Sequence, residues 1–525
     1  MTVGIRNVLF VMCDQLRADY LGCYGHSTIK TPNLDSLAAR GVRFDRAYVQ
    51  SPVCGPSRMS YYTGRYVSSH GANWNRTPLR IDERTMADYL APLGVKTAIV
   101  GKTHIEADTK SLDWLGIPDD ALARQRLSQG GFVPVERDDG VHRSATRERD
   151  FPYNQFLRDN GFDGDNPWQC WANSAEDENG EILSGWQLRN ASRPARIPEP
   201  FSETAYMSDR AIEFIDDNVD QPWCLHLSYI KPHWPYMAPA PYNDMYGPED
   251  IAPAKRSAFE KDNPHPIAGV LMNETDSRAF HNEQTRRTVI PTYMGLVSQI
   301  DAHLGRVLSA LETSGQSDHT LIVFTSDHGD FLGDHWFADK AMFYEPAVRV
   351  PLIICDPRQG ANPSRGTSSD AFVEAIDLAP TFLDALGGDV TGHRLEGHSL
   401  MPLLSGEEAA QIREAVVSEL DFGYLATGGE LGLDPSRSMG RMIRTNRWKY
   451  VHFQDLPCQL FDLVNDPEEL HDLHEDEQHQ HVRSEMKDRL LEWALTRRTR
   501  VTESDARVKG WLEQAKARGA SKPGW

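Results

Sequence analysis

The chain has 525 residues, 40% of them hydrophobic and 25% charged, which is the composition of a globular protein with a soft expectation of about three domains. Its formal net charge of −21 argues against nucleic acid as a partner, and it sets a condition: an anionic substrate would be repelled unless the site carried its own positive cluster. No apolar run approaches the ~20 residues of a membrane span, residues 1–7 do not read as a secretory leader, and the seven cysteines are scattered and odd in number, so a reduced, cytoplasmic setting without membrane contact is expected.

In chain order, Asn7 to Cys13 is an unbroken apolar run, as in a strand buried on both faces, and it ends at Asp14-Gln15. Thr31 to Gly41 reads as a helix with Thr31 as N-cap, Pro32 at N1 and Gly41 after its end. Ser51 to Gly64 reads as a loop entering a short helix, with Pro56 in the first turn and Gly64 as the stop. That places Cys54 just ahead of a helix N-terminus, where free N–H groups and the helix dipole favour an anion. Arg58, one turn on, can fold back towards it. A free Cys is usually a buried core residue, but one beside an Arg at a helix N-terminus is a candidate low-pKa nucleophile. Thr85 to Leu93 is a helix frayed by Pro92, and Lys96 to Gly101 is a strand ending at Lys102-Thr103-His104.

From about 105 to 205 periodicity dissolves, and a stretch this long reads as an insertion that shapes a pocket. Helical spacing returns at Ser208 to Val219. Trp223 to Tyr229 is a strand ending at Lys231-Pro232-His233, Tyr293 to Leu311 a long helix, His319 to Thr325 a strand ending at Ser326-Asp327-His328, and Val350 to Cys355 another strand. Strands alternating with helices predict an α/β fold with a large, mostly parallel sheet flanked by helices. Such sheets bind at the carboxyl ends of their strands, which gathers Asp14, Gln15, Lys102, His104, His233, Asp327 and His328 onto one edge. Residues 1–400 form this domain. Residues 401–495 read as a smaller α+β unit: a hairpin around Thr445-Asn446-Arg447, a strand at Gln459 to Leu463, a solvated acidic loop from Asp466 to Glu477, and a helix from Gln478 to Arg498 with Val482, Met486, Leu490 and Trp493 as its stripe. The tail 496–525 carries eight Lys and Arg against three Asp and Glu, and is either an arm for a neighbouring subunit or a loosely held terminus.

Asp14, Gln15, Asp327 and His328 offer two carboxylates, an amide oxygen and an imidazole. Hard oxygen donors suit Ca²⁺, Mg²⁺ or Mn²⁺, and the imidazole moves the balance towards Mn²⁺. Arg58, Lys102, His104, His233 and Lys340 supply the local positive charge. Singly, a Lys on a strand-end loop is normally a solvated surface charge, so their convergence carries the weight.

Cys54-Gly55-Pro56-Ser57-Arg58, followed by Thr63-Gly64-Arg65, resembles the signature of the sulfatases of the alkaline phosphatase superfamily. Gly101-Lys102-Thr103-His104 and Asp334 to Lys340 resemble further sulfatase motifs. The resemblance implies that a formylglycine-generating enzyme converts Cys54 to formylglycine. It also implies one divalent metal held by Asp14, Gln15, residue 54, Asp327 and His328. Asp-Gln with Asp-His is similar to the phosphonate monoester hydrolases, for which Mn²⁺ is implied, with Ca²⁺ as the alternative. Asp327 is then the proton acceptor, and Arg58 steadies the nucleophile. Lys102 and Lys340 neutralise the ester oxygens, and His233 is the general acid. His104 is the base that frees the product, and Asn75 contacts the substrate. Lys102 and His104 point to sulfate monoesters. The stretches Ile230 to Tyr236 and Met245 to Asp250 resemble the phosphonate branch, which makes phosphonate monoesters or phosphodiesters the alternative. A metal-binding protein with an unmodified Cys54 is a third reading; a phosphomutase-like enzyme is disfavoured, because a two-metal site needs more carboxylates and histidines. The partners implied are a small anionic ester and further copies of the chain, as a dimer or tetramer.

Overall fold

The computed structural model describes residues 4–143, 150–390, 393–406, 412–498 and 500–517. The nine strands of its main sheet are β1 (Asn7–Asp14), β2 (Val42–Tyr48), β3 (Lys96–Gly101), β4 (Val133–Arg137), β5 (Trp223–Pro232), β6 (Thr320–Ser326), β7 (Arg349–Cys355), β8 (Thr367–Ser369) and β9 (Val373–Glu374). They lie in the order β8-β2-β7-β6-β1-β5-β3-β4, with β9 also on β2. All pairs are parallel except those of β7, which runs against both β2 and β6. A parallel return needs a crossover, usually a helix, and the chain between Ser326 and Arg349 holds only single helical turns. β1 lies at the centre and is buried along its whole length. Its alternate residues enter opposite cores: Val8, Phe10 and Met12 on one face, Leu9, Val11 and Cys13 on the other.

Of the helices, α1 (Pro32–Arg40) begins where the sequence placed it, but Thr31 does not cap it. The Thr31 hydroxyl instead bonds Asp35 and accepts from the Gly22 amide. The first-turn amides of Asn33 and Leu34 are taken by the Asp301 carboxylate at 3.2 and 2.8 Å. Asp301 belongs to α4 (Glu283–Thr313), so the cap is tertiary. Between them run α2 (Cys54–Thr63) and α3 (Glu203–Asp217). α4 starts ten residues before the predicted Tyr293, because the helix continues through Pro291, which reads in sequence as a boundary.

A second sheet, antiparallel and in chain order, holds β10 (Val416–Asp421), β11 (Met439–Arg444), β12 (Trp448–His452) and β13 (Gln459–Asp462). β10 was not foreseen. α5 (Gln480–Leu495) packs Val482, Met486 and Leu490 onto Ile443, Tyr450 and Leu460. The acidic loop is not wholly solvated: Glu469 is buried, and its carboxylate pairs with Lys449 and accepts the Glu345 amide. In the tail, α6 (Asp505–Ala517) buries none of its residues, with Trp511 and Leu512 exposed; residues 499 and 518–525 lie outside the described set. All seven cysteines are free thiols, and no described helix is long and apolar enough to cross a membrane.

Candidate active site

The site lies at the carboxyl ends of β1, β3, β5 and β6, where α2 is set down against them. Val53 is extended (φ −121°, ψ 138°) and Cys54 is the first helical residue rather than the one before it. Gly64, at φ 65°, ends the helix, and a Cβ there would strike Leu395. All ten residues of α2 are buried. The Gly55 amide in its first turn donates to Asn75 Oδ1 at 2.6 Å, so Asn75 satisfies an otherwise orphaned helix donor.

Parallel pairing of β1 with β6 brings Cys13 opposite Ser326, so Asp14 and Asp327 emerge side by side. The ligand atoms of Asp14, Cys54, Asp327 and His328, all buried, lie within 4.8 Å of one another. His328 Nε2 is 3.0 Å from Cys54 Sγ and 3.6 Å from a carboxylate oxygen of both Asp14 and Asp327. His328 Nδ1 meets the Gly329 carbonyl at 2.8 Å, which aims Nε2 into the cluster. Burial opposes a charge on this imidazole, yet Asp327 and the Cys54 sulfur push it up to about 9. The pocket thus attracts positive charge, and two carboxylates with an imidazole suit a divalent cation. Gln15 is tied into the rim by other contacts. Its backbone amide donates to Asp327 Oδ1 at 3.1 Å, its Oε1 accepts from Lys340 Nζ at 3.0 Å, and its Nε2 donates to Asp330 at 2.7 Å.

Arg58 is fully buried and organises the cluster. Its Nε donates to Asp327 Oδ2 at 2.8 Å, one Nη donates to Ser228 and the Lys102 carbonyl, and the other lies 3.5 Å from Asp14. Lys102 Nζ pairs with Asp14 and sits 3.9 Å from Cys54 Sγ. Burial opposes both charges of that pair, but each holds the other: Asp14 stays well below the usual carboxylate range and Lys102 above its ordinary value. His104, at φ 56°, is pushed well below the usual imidazole range by burial and Lys102, and its Nδ1 is buried without a hydrogen-bond partner. It is a neutral imidazole whose Nδ1 is left without a hydrogen-bond partner.

His233 Nδ1 meets the Trp234 carbonyl at 2.6 Å, so it carries the ring proton, and Nε2 accepts from Lys340 Nζ at 3.1 Å. Burial and Lys340 hold the ring well below its ordinary value. The proton of this pair therefore rests on Lys340. The sequence reading paired the same two groups, with His233 as the acid and Lys340 its helper.

Each of the predicted residues thus reaches the one rim: Asp14, Cys54, Arg58, Lys102, Asp327 and His328 at its centre, Gln15, His104, His233 and Lys340 around it, and Asn75 at the N-terminus of α2. Three residues were missed. Asp330, pushed up to about 6 by burial and Asp339, takes Gln15 and the Tyr236 hydroxyl; its place in Asp327-His328-Gly329-Asp330 was the available signal. Ser228 hides inside an apolar strand. Asp139 lies where no pattern could be read.

The sulfatase family model matches residues 6–388, and a C-terminal model described as N-sulphoglucosamine sulphohydrolase matches 333–496. The multifunctional alkaline phosphatase superfamily protein PehA of Trinickia caryophylli is 31% identical over 94% of this chain and 96% of its own. An arylsulfatase of Clostridium perfringens is 28% identical over 96% and 98%. The solved phosphonate monoester hydrolase of Silicibacter pomeroyi superposes with a TM-score of 0.83 at 30% identity, covering 94% of this chain and 96% of that one. With matches of that extent laid over a strand-end rim built round Cys54, this chain belongs to the sulfatase family of the alkaline phosphatase superfamily.

Proposed function

We propose that the protein hydrolyses sulfate monoesters, with formylglycine at position 54 and one divalent ion, Mn²⁺ or Ca²⁺. The observation that carries this reading is the pair at the end of β3: an ammonium, Lys102, held against Asp14 and residue 54, and a neutral imidazole, His104, with a free nitrogen. When present, the ion supplies a Lewis acid, and formylglycine supplies a hydrated aldehyde, one hydroxyl to displace the alcohol from sulfur and the other to release sulfate as the aldehyde re-forms.

The chain's own residues do the rest. Asp14, Gln15, Asp327 and His328 would hold the ion together with residue 54, and the Gln15 backbone amide also steadies Asp327. Asp327 takes the nucleophile's proton, and Arg58 fixes that carboxylate on its far side. Lys102 and Lys340 face the non-bridging oxygens and offset their charge. The hydrogen-bonded pair of Lys340 and His233 supplies the proton taken up by the departing alcohol oxygen. His104 Nδ1 takes the proton whose loss frees sulfate. Asn75 keeps an amide N–H₂ for the substrate while its oxygen caps α2.

A second reading, phosphonate monoester or phosphodiester hydrolysis, is favoured by the fold: the solved phosphonate monoester hydrolases superpose at TM-scores of 0.83 and 0.80, against 0.66 for a glycosaminoglycan sulfatase. Rates on an aryl sulfate, a phenyl phosphonate monoester and a phosphodiester, measured side by side, decide. The highest kcat/KM belongs to the sulfate; a higher value on either phosphorus ester would transfer the assignment. The six other cysteines, all free thiols, fit a cytoplasmic enzyme.

A further inference from the structure

We propose that Asp139, with Arg137, is a positioning residue: the two clamp the loop after β3 and thereby set His104 and Lys102 against position 54. Asp139 Oδ1 accepts the backbone amides of Thr103 at 2.8 Å and His104 at 2.9 Å, and also lies 3.3 Å from the Thr103 hydroxyl. Its Oδ2 accepts two N–H groups of Arg137, at 2.9 and 3.2 Å. The same guanidinium donates to the Ile105 carbonyl at 2.6 Å. One ion pair therefore grips the peptide 103–105 by its amides on one side and its carbonyl on the other.

The grip has a purpose visible in the backbone. His104 stands at φ 56°, a conformation that an L residue with a side chain holds only when its surroundings impose it. Just before it, Gly101 is at φ 104°, and a Cβ there would lie 1.9 Å from the Ser228 carbonyl oxygen, so the strand end is bent tightly over β5. The clamp's hydrogen bonds to His104 go to its backbone amide alone, while the Asp139 carboxylate also faces the ring as a charge. The ring is left with Nδ1 buried and unbonded, as a base must be before it takes a proton. Both clamp residues sit at the exit of β4, so the stretch between 105 and 205 reaches the chemistry through this contact.

The inference rests on the reading of His104 as the base for product release, and one set of variants separates the two. Amide hydrogen exchange at residues 103–105 reports the clamp without any turnover. Asp139→Ala accelerates it by about tenfold or more, whereas Asp139→Asn keeps an acceptor oxygen and restores most of the protection. In turnover, Asp139→Ala lowers kcat by about 10- to 100-fold at little-changed KM, and the alcohol appears in a burst before the steady state, as it does in His104→Ala. Arg137→Ala gives a weaker version of both effects and, with Asp139→Asn, carries the test if Asp139→Ala does not fold. Unchanged exchange, or a kcat loss with a parallel rise in KM and no burst when His104→Ala does show one, overturns the clamp. If His104→Ala itself shows neither burst nor kcat loss, the assigned role of His104 fails, while the exchange data still judge the clamp.

Discussion

Among the described residues, Lys102 at the rim and Lys449 on β12 are the most deeply buried lysines, and each is paired with carboxylate. Lys449 Nζ lies 2.9 Å from Glu345 and 2.5 Å from Glu469, and donates to the Phe343 carbonyl at 3.0 Å. Arg349 and Arg444 close on the same Glu345. Burial opposes the charge on Glu345, but Lys449 and the arginines hold it down to about 2. Lys102 likewise helps hold Asp14 well below the usual carboxylate range against its burial. Perturbed ionisation therefore marks both places and does not tell them apart. What differs is the company. Around Lys449 stand carboxylates and guanidinium groups paired with one another, tying the second sheet to the main one. Around Lys102 and its partner Asp14 stand the side chain of residue 54 and the imidazoles of His328, His104 and His233. Buried charge alone signals architecture; buried charge beside atoms that can take or lose a proton signals chemistry.

The comparison breaks most sharply at residue 54. Cys54→Ala removes the nucleophile and lowers kcat by about 10⁵- to 10⁶-fold, with a thermal midpoint close to wild type; nothing done at Lys449 has this signature. Next come the lysines themselves. Lys102→Met lowers kcat/KM by about 10²- to 10³-fold. Lys449→Met leaves turnover per folded molecule near wild type and costs about 3–5 kcal/mol of stability, because Glu345 and Glu469 lose their central cation. Steady-state kinetics and urea unfolding on both proteins read this out; equal catalytic loss in the two would erase the distinction. Chelation separates the regions again. Stripping divalent ions abolishes activity, and restoring Mn²⁺ or Ca²⁺ at about 100 times its Kd adds about 2.7 kcal/mol of stability in wild type and Lys449→Met alike, but much less in Asp14→Ala.

The smallest effect concerns pH. His226, under Phe10, and His70, bonded to Ser60 of α2, are both pushed down to about 3, in each case chiefly by burial. Each is neutral when folded and free to charge when unfolded. Their contribution is complete above the unfolded value near 6.5 and is lost as pH falls towards 3, by about 1.4 kcal/mol per pH unit for each ring. Unfolding of His226→Gln between pH 7 and 5 then shows a shallower loss than wild type, by about 2 kcal/mol at pH 5. A parallel slope would show that the ring is already protonated in the folded chain.

The sequence was most informative where physics is local. Unbroken apolar runs located β1, β3, β5 and β6, and the rule that parallel sheets bind at strand ends then assembled Asp14, Lys102, His104, His233, Asp327 and His328 from far-apart positions. It was silent where partners are tertiary. Thr31 has the right residue type for a cap, yet Asp301 does the capping from another helix. Pro291 looks like a boundary, yet α4 runs through it, and the direction of β7 depends on a missing crossover. Asp139 sits in a polar stretch with no period, and only the fold shows which amides it holds. The proton on Lys340 rather than His233 follows from one carbonyl contact that no spacing encodes.

The central claim is that residue 54, set among two carboxylates and an imidazole, works as an oxidised side chain and not as a thiol. Peptide mass mapping of fully active, metal-loaded enzyme tests it most directly. The account predicts that the peptide containing position 54 carries the mass change of a thiol replaced by an aldehyde, in proportion to activity; an intact Cys54 thiol in protein with full turnover would contradict it.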